Sequence, residues 1–114
     1  MDEITILQAE VLKTLAHPRR LEILHRVADA PCSVKRLAAE LGLSQPNVSQ
    51  HLAVLRSAGL VEADRKGREV TYRLADQDVM AACGLMRSVL QRRLARLGRL
   101  SANADLPAEL VAVH

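Results

Sequence analysis

Amide and hydroxyl side chains are concentrated in one stretch of the chain, between residues 44 and 56. A helix face that meets only solvent usually carries Glu and Lys. Gln and Asn instead form paired hydrogen bonds with adenine, and Ser contacts bases or phosphates. The stretch therefore predicts a surface that reads DNA, and its candidate residues are Ser44, Gln45, Asn47, Ser49, Gln50 and Arg56.

Two helices joined by a tight turn would present this surface. Ser33 can cap a first helix, and Gly42 stands where that helix would end, because Gly adopts the left-handed conformation at little cost. Ser44 can cap a second helix, whose N-terminal half enters the major groove in a helix-turn-helix. Its buried face is predicted by Val48, Leu52 and Leu55 at helical spacing. The pattern taken alone also fits an ordinary antiparallel helix pair with a polar surface.

After Leu60 the apolar residues recur at every second position, which predicts a β-hairpin. We expect its turn at Lys66 and Gly67. The tip is basic, with Arg65, Lys66 and Arg68. A charged ribbon of this kind can be an ordinary sheet edge. Directly after a helix-turn-helix, a wing that grips phosphates or the minor groove is the better interpretation.

Three more helices are predicted around these elements. The first covers residues 4–15, the second begins at Pro18, and the fifth runs from a cap at Asp76 to about Gly98. The fifth helix carries an apolar stripe of Val79, Cys83, Met86, Leu90, Leu94 and Leu97. Such a stripe suggests a dimer seam that also contacts Val11 and Leu15, although packing against its own domain is an alternative.

The predicted fold is mainly α with a small β-hairpin, a homodimeric winged helix-turn-helix in the order ααααββα. One domain would cover residues 1–100, followed by a tail over residues 101–114. The formal charge of +3 leans mildly toward polyanions. The acidic start MDEIT is no signal peptide, no apolar run is long enough for a membrane span, and two cysteines are too few for a disulfide framework. We therefore expect a cytoplasmic protein without membrane association. No arrangement of nucleophile, base and acid suggests an enzyme.

Three segments resemble the ArsR (arsenical-resistance) family of bacterial winged-helix repressors: TLAHPRRLEIL, SVKRLAAELGLSQPNVSQHLAVLRSAGLV and RKGREVTYRL. The resemblance covers about residues 8–75. It implies a homodimer built on the first and fifth helices, which binds an inverted repeat in operator DNA and leaves it when an inducer binds. It assigns DNA reading to Gln45, Asn47, Ser49 and Gln50, and a wing role to Arg65, Lys66 and Arg68. His51 matches the family histidine in SxHL, and we interpret it as a helix-packing residue near DNA.

The inducer is less well defined, because Cys32 and Cys83 do not match the ligand patterns of the metal-sensing groups in that family. A thiol switch is one hypothesis, in which these cysteines join through a disulfide or polysulfide within one subunit or across the dimer. Cys32 precedes a helix whose dipole can lower a thiol pKa. Both cysteines can instead be structural. A third possibility is a thiophilic metal or metalloid bound with His17 or His25, although no cofactor is predicted. A winged-helix module that binds proteins is the alternative outside DNA binding.

Overall fold

The computed structural model describes residues 1–98. The predicted tail and the boundary at residue 100 lie outside the described residues. The elements follow one another as α1 (Glu3–Leu15), α2 (Pro18–Asp29), β1 (Cys32–Ser33), α3 (Val34–Leu41), α4 (Gln45–Ser57), β2 (Val61–Lys66), β3 (Glu69–Leu74) and α5 (Asp78–Arg96). The five predicted helices are confirmed.

Side chains that stop or start a helix set the boundaries of the helix-turn-helix. The Arg36 N–H donates to Ser33 Oγ at 3.1 Å at the start of α3. Gly42 ends that helix in the left-handed conformation, with φ 66°. The Asn47 N–H then donates to Ser44 Oγ at 3.2 Å at the start of α4, and three residues separate α3 from α4. Both predicted caps and the predicted stop are confirmed.

The sheet has three antiparallel strands in the order β1-β3-β2, one strand more than predicted. β1 is only two residues long, with Cys32 opposite Tyr72 and Ser33 opposite Thr71. A strand this short shows no alternation in the sequence, and α3 follows it immediately. A two-stranded hairpin has marginal stability, and β1 adds a third strand to it.

The hairpin turn also lies one residue later than predicted. Lys66 pairs with Glu69, which leaves Gly67 and Arg68 as the two turn residues. Gly67 has φ 64°, a value that two-residue hairpin turns require and that Gly accepts readily. Lys66 is therefore the last residue of β2 rather than part of the turn.

The core joins α2, α3, α4 and the base of the hairpin. Its completely or almost completely inaccessible side chains are Ile23, Leu24, Leu37, Val48, Leu52, Leu55 and Val61. All are aliphatic, and burying each of the larger ones contributes about 1.5–3 kcal/mol relative to exposure. The predicted buried face of α4 is therefore confirmed, and it fixes which face of that helix stays accessible.

The chain divides into two compact units, one ending at Gln77 and the other beginning at Asp78. The described part of the second unit is dominated by α5, which has no buried residue. Several of its large apolar side chains are well exposed, among them Leu85, Met86 and Leu90. None of the described helices is long and apolar enough to cross a membrane.

Candidate nucleic-acid interface

The N-terminal half of α4 presents polar side chains to solvent while its opposite side is buried. Gln45, Asn47, Ser49 and Gln50 are all exposed, as the sequence predicted. With a rise of 1.5 Å per residue they occupy about 7.5 Å of helix axis, which fits within a major groove about 12 Å wide. The buried aliphatic face on the other side holds the helix rigidly in the unit. This arrangement can offer several hydrogen-bonding groups to consecutive base pairs.

The remaining two candidates of α4 differ from this group. Ser44 is exposed, but its Oγ already accepts the Asn47 N–H, which leaves its O–H for another acceptor. Arg56 is exposed near the opposite end of α4, about 16 Å along the axis from Gln45. The structure therefore separates Arg56 from the polar cluster, and any DNA contact from Arg56 would fall on different phosphates.

His51 is half-buried and contacts α2 rather than pointing outward with its neighbours. Its Nδ1 accepts a hydrogen bond from Arg20 Nε at 3.3 Å. Its ring also meets the ring of His17 edge to face, with 4.8 Å between the ring centroids. Burial lowers the pKa of His51, and the nearby His17, Arg20 and Arg19 lower it further. The predicted packing role of His51 is confirmed, whereas its proximity to DNA stays a prediction.

The hairpin separates its cations into a paired group and an unpaired group. Arg73 Nε donates to Asp64 Oδ2 at 2.8 Å, and the same guanidinium also bonds to Glu62. The basic residues at the tip are exposed and make no ion pair within residues 1–98, namely Arg65, Lys66 and Arg68. Within the hairpin, the positive charge available to a polyanion is therefore concentrated at the tip.

The structure does not support a lowered thiol pKa for Cys32, the effect that its place before a helix suggested. Ser33 is the cap of α3, and Cys32 points into the core from β1 with only 5% of its surface exposed. Burial raises the pKa of its thiol, Glu40 raises it further, and Arg36 opposes the shift. Cys83 is half-buried on α5, in the other unit.

No three metal-binding side chains come together within residues 1–98. The metal or metalloid site suggested for Cys32, Cys83 and His17 or His25 therefore gains no support from this part of the chain.

Sequence reasoning missed the contacts that α2 makes with α4 through Arg20. The Arg20 guanidinium reaches His51 with Nε and the Thr14 carbonyl oxygen, near the end of α1, with Nη1 at 3.1 Å. The signal was present as two consecutive arginines after His17-Pro18, in the first turn of α2. Nothing in the sequence indicates which of the two arginines turns inward.

Residues 17–63 match the family model described as "Bacterial regulatory protein, arsR family". An uncharacterized HTH-type transcriptional regulator of Mycobacterium tuberculosis, Rv0081, is 41% identical over 103 residues, which cover 90% of this chain and 89% of that protein. Its crystal structure matches this fold with a TM-score of 0.75 and 39% identity, over 84% of this chain and 97% of that one.

Two other solved structures are similar at comparable levels. The solution structure of the homodimeric winged helix-turn-helix DNA-binding domain of Mb0332 from Mycobacterium bovis has a TM-score of 0.75 and 35% identity, covering 82% of this chain and 86% of that one. The cadmium sensor CmtR from Mycobacterium tuberculosis has a TM-score of 0.61 and 44% identity, with coverages of 72% and 85%.

These similarities confirm the predicted fold and the predicted class, a DNA-binding transcriptional regulator rather than an enzyme or a protein-interaction module. The chain belongs to the arsR family of bacterial regulatory proteins.

Proposed function

We propose that the chain acts as a homodimeric repressor that reads an inverted-repeat operator with α4 and its wing and leaves it when an inducer acts. The observation that carries the DNA-reading part is the exposed cluster Gln45, Asn47, Ser49 and Gln50 on a helix whose other face is buried. Its amides and hydroxyls both donate and accept hydrogen bonds, as the base edges in the major groove require. Because the proposed target is operator DNA, the cytoplasm stays our prediction for its location.

The homodimer is supported by apolar surface on two helices. The side chains of Met86 and Leu90 on α5, and of Leu97 directly after it, are about half exposed. On α1, Leu7 and Leu12 are also about half exposed, and such surface is usually covered in a stable assembly. We therefore keep the proposal of a seam formed by the first and fifth helices.

Leu15 differs from the other α1 residue predicted for the seam. Leu15, which we expected to contact α5 of the dimer, has 7% of its surface exposed and is already part of the core. A groove of about 710 Å³ lies instead between α1 and the C-terminal half of α4, and its apolar walls include Leu7, Val11 and Val54. The exposed residues of α1, rather than Leu15, are the ones available to a partner.

The first experiment identifies the operator. The wild-type protein is used to select from random duplexes of about 30 base pairs, long enough for two half-sites one helical turn apart. The proposal expects enrichment of an inverted repeat that binds far more tightly than a scrambled duplex of equal composition. Selection without any enriched sequence would contradict it.

Alanine variants then test base reading by α4. Gln45→Ala and Gln50→Ala should each weaken operator binding by about 1–3 kcal/mol and change the preferred sequence, while binding to scrambled DNA stays the same. Gln77→Ala is the matched control, since Gln77 is an exposed glutamine outside α4. Equal losses on operator and scrambled DNA would count against major-groove reading.

The wing is tested through the salt dependence of binding. Arg68→Ala should weaken binding to all DNA and reduce the slope of log affinity against log salt by about 0.9, the value for one lost phosphate contact. Arg73→Ala is the control, because Arg73 is engaged by Asp64 and Glu62 and should leave the slope unchanged. Equal changes in slope for both variants would show that the paired and unpaired cations do not differ in role.

For the inducer, we propose a thiol response in which Cys32 and Cys83 together give up two protons and two electrons to an oxidant and join in a disulfide. With hydrogen peroxide as the oxidant, the second product is water. The burial and raised pKa of Cys32 keep its thiol protonated near neutral pH, so we expect the reaction to start at half-buried Cys83.

Operator affinity of Cys32→Ser and Cys83→Ser before and after peroxide tests this response. Wild-type protein should lose affinity on oxidation and regain it with a reductant, and both variants should keep their affinity. If the wild type and both variants respond alike, the cysteines are not the sensor. A parallel series with cadmium, the ion sensed by the similar CmtR, tests the metal alternative.

A further inference from the structure

A single arginine connects three helices of the DNA-reading unit, the compact unit that ends at Gln77. Arg20 lies in the first turn of α2 and is half-buried. Its Nη1 donates to the Thr14 carbonyl oxygen near the end of α1, and its Nε donates to His51 Nδ1 in the middle of α4. The guanidinium is planar and its donors keep a fixed geometry. The two hydrogen bonds therefore fix α4 relative to α1.

We propose that Arg20 is a positioning residue for DNA reading, which acts through His51 to hold α4 in one orientation relative to α1. The inference rests on the proposed function, because it takes α4 as the reading helix. Within residues 1–98, the side chain of Arg20 hydrogen-bonds to α4 at His51 and to none of the four residues of the polar cluster.

The position of His51 in the sequence makes this contact effective. His51 directly follows Gln50, so a rotation of α4 that moves the histidine also moves the adjacent reading residue. The ring is held on two sides, by Arg20 at Nδ1 and by the edge-to-face contact with His17. His17 is in turn fixed as the N-cap of α2, where its Nδ1 accepts the Arg19 N–H at 3.3 Å.

The second hydrogen bond of the Arg20 guanidinium goes to α1, the helix whose exposed apolar residues we assign to the dimer seam. The last carbonyl groups of a helix lack partners within the helix, and Arg20 satisfies the one at Thr14. A change in the seam can therefore reach α4 through one side chain. This would couple the spacing between the two α4 helices of the proposed dimer to the orientation of each.

The network also has a required protonation state. His51 can accept at Nδ1 only as the neutral tautomer with its proton on Nε2. The charged or titratable groups that act on it are His17, Arg20 and Arg19, from α2 and its cap, and none of them is acidic. Protonation would remove the acceptor and add a cation beside these groups, so acid should release α4 from Arg20.

This gives opposite signs for the two roles that His51 can have. If it positions α4, operator affinity falls as the pH drops. If it instead contacts phosphate directly, the imidazolium strengthens binding to all DNA as the pH drops. A pH profile therefore separates a positioning role from a DNA contact.

The experiment measures affinity for the selected operator and for the scrambled duplex, from about pH 7.5 to about pH 5.5, across the titration range of histidine. Arg20→Gln should weaken operator binding by about tenfold, the order of one hydrogen bond to a charged group, without changing binding to scrambled DNA. Arg19→Gln is the matched control at the upper end of this pH range, since Arg19 pairs with Glu22 on the surface, and there it should bind as the wild type does. Wild-type affinity for the operator should fall as the pH is lowered. His51→Asn, which keeps an acceptor near the Nδ1 position and cannot be protonated, should lose that pH dependence.

A second readout does not depend on DNA. The ¹⁵N spectrum of the imidazoles should show His51 as the Nε2–H tautomer, and its pKa should rise in Arg20→Gln because a neighbouring cation is removed. If Arg20→Gln does not fold, Arg20→Lys, which keeps the charge and cannot span both acceptors, replaces it and should give an intermediate loss.

The outcomes separate the inference from the proposed function. Selection without an operator would refute DNA reading, whereas the tautomer and the pKa rise would still establish the contact. Wild-type operator affinity in Arg20→Gln and Arg20→Lys would overturn the positioning role. An operator affinity that rises with acid in the wild type but not in His51→Asn would overturn it as well, and would assign His51 to DNA.

Discussion

Helices α4 and α5 carry similar apolar stripes but have opposite environments. The stripe of α4, with Val48, Leu52 and Leu55, is completely inaccessible to solvent. On α5, by contrast, Met86 is 56% and Leu90 is 46% exposed. Apolar residues at spacings of three and four predict that one face of a helix will be covered, but they do not say by what. The apolar face of α4 completes the core of its own unit, and the apolar face of α5 is available to another molecule.

Truncation of one leucine on each helix gives the largest contrast. Leu52→Ala should lower the free energy of unfolding by about 2–5 kcal/mol, because it leaves a cavity in a rigid core. The loss should be the same at every protein concentration. Leu90→Ala should destabilise the protein only at concentrations where the dimer forms. Urea unfolding over a range of concentrations measures both effects, and a concentration-independent loss for Leu90→Ala would place α5 in the protomer core.

A charge in the proposed seam should prevent dimerisation without unfolding the protomer. Leu90→Glu would bury a carboxylate in the seam, at a cost of a few kcal/mol, so sedimentation should detect monomers. Leu85→Glu is the matched control, because Leu85 lies off the stripe and is 73% exposed. A tight dimer in both variants would show that the stripe is not the seam.

The smallest expected effect is on the rate of thiol alkylation. Cys83 lies on the stripe of α5, so its reaction with iodoacetamide should slow as rising protein concentration drives dimer formation. Cys32 should react slowly at all concentrations, because its burial and raised pKa both disfavour the thiolate. Labelling followed by mass spectrometry separates the two sites, and a Cys83 rate independent of concentration would argue against a seam at this residue.

Much of the reading unit could be predicted because its signals are local. Caps at Ser33 and Ser44, the stop at Gly42 and the spacing of the buried residues of α4 each depend on a few neighbouring positions. The strand β1 could not be predicted, because two residues carry no pattern and their pairing with β3 is a long-range contact. The turn of the hairpin was predicted one residue too early for a similar reason, since the pairing of the flanking strands decides its position.

The sequence by itself determined the order of the five helices, the polar face of α4 and the basic hairpin, since each follows from residue types at short spacing. Only the tertiary structure decided which polar groups are engaged. Arg73 is paired while Arg68 is not, Cys32 is buried in spite of its place before a helix, and Arg20 rather than Arg19 turns toward α4. Burial and hydrogen bonding depend on residues far apart in the chain, and the structure alone brings these residues together.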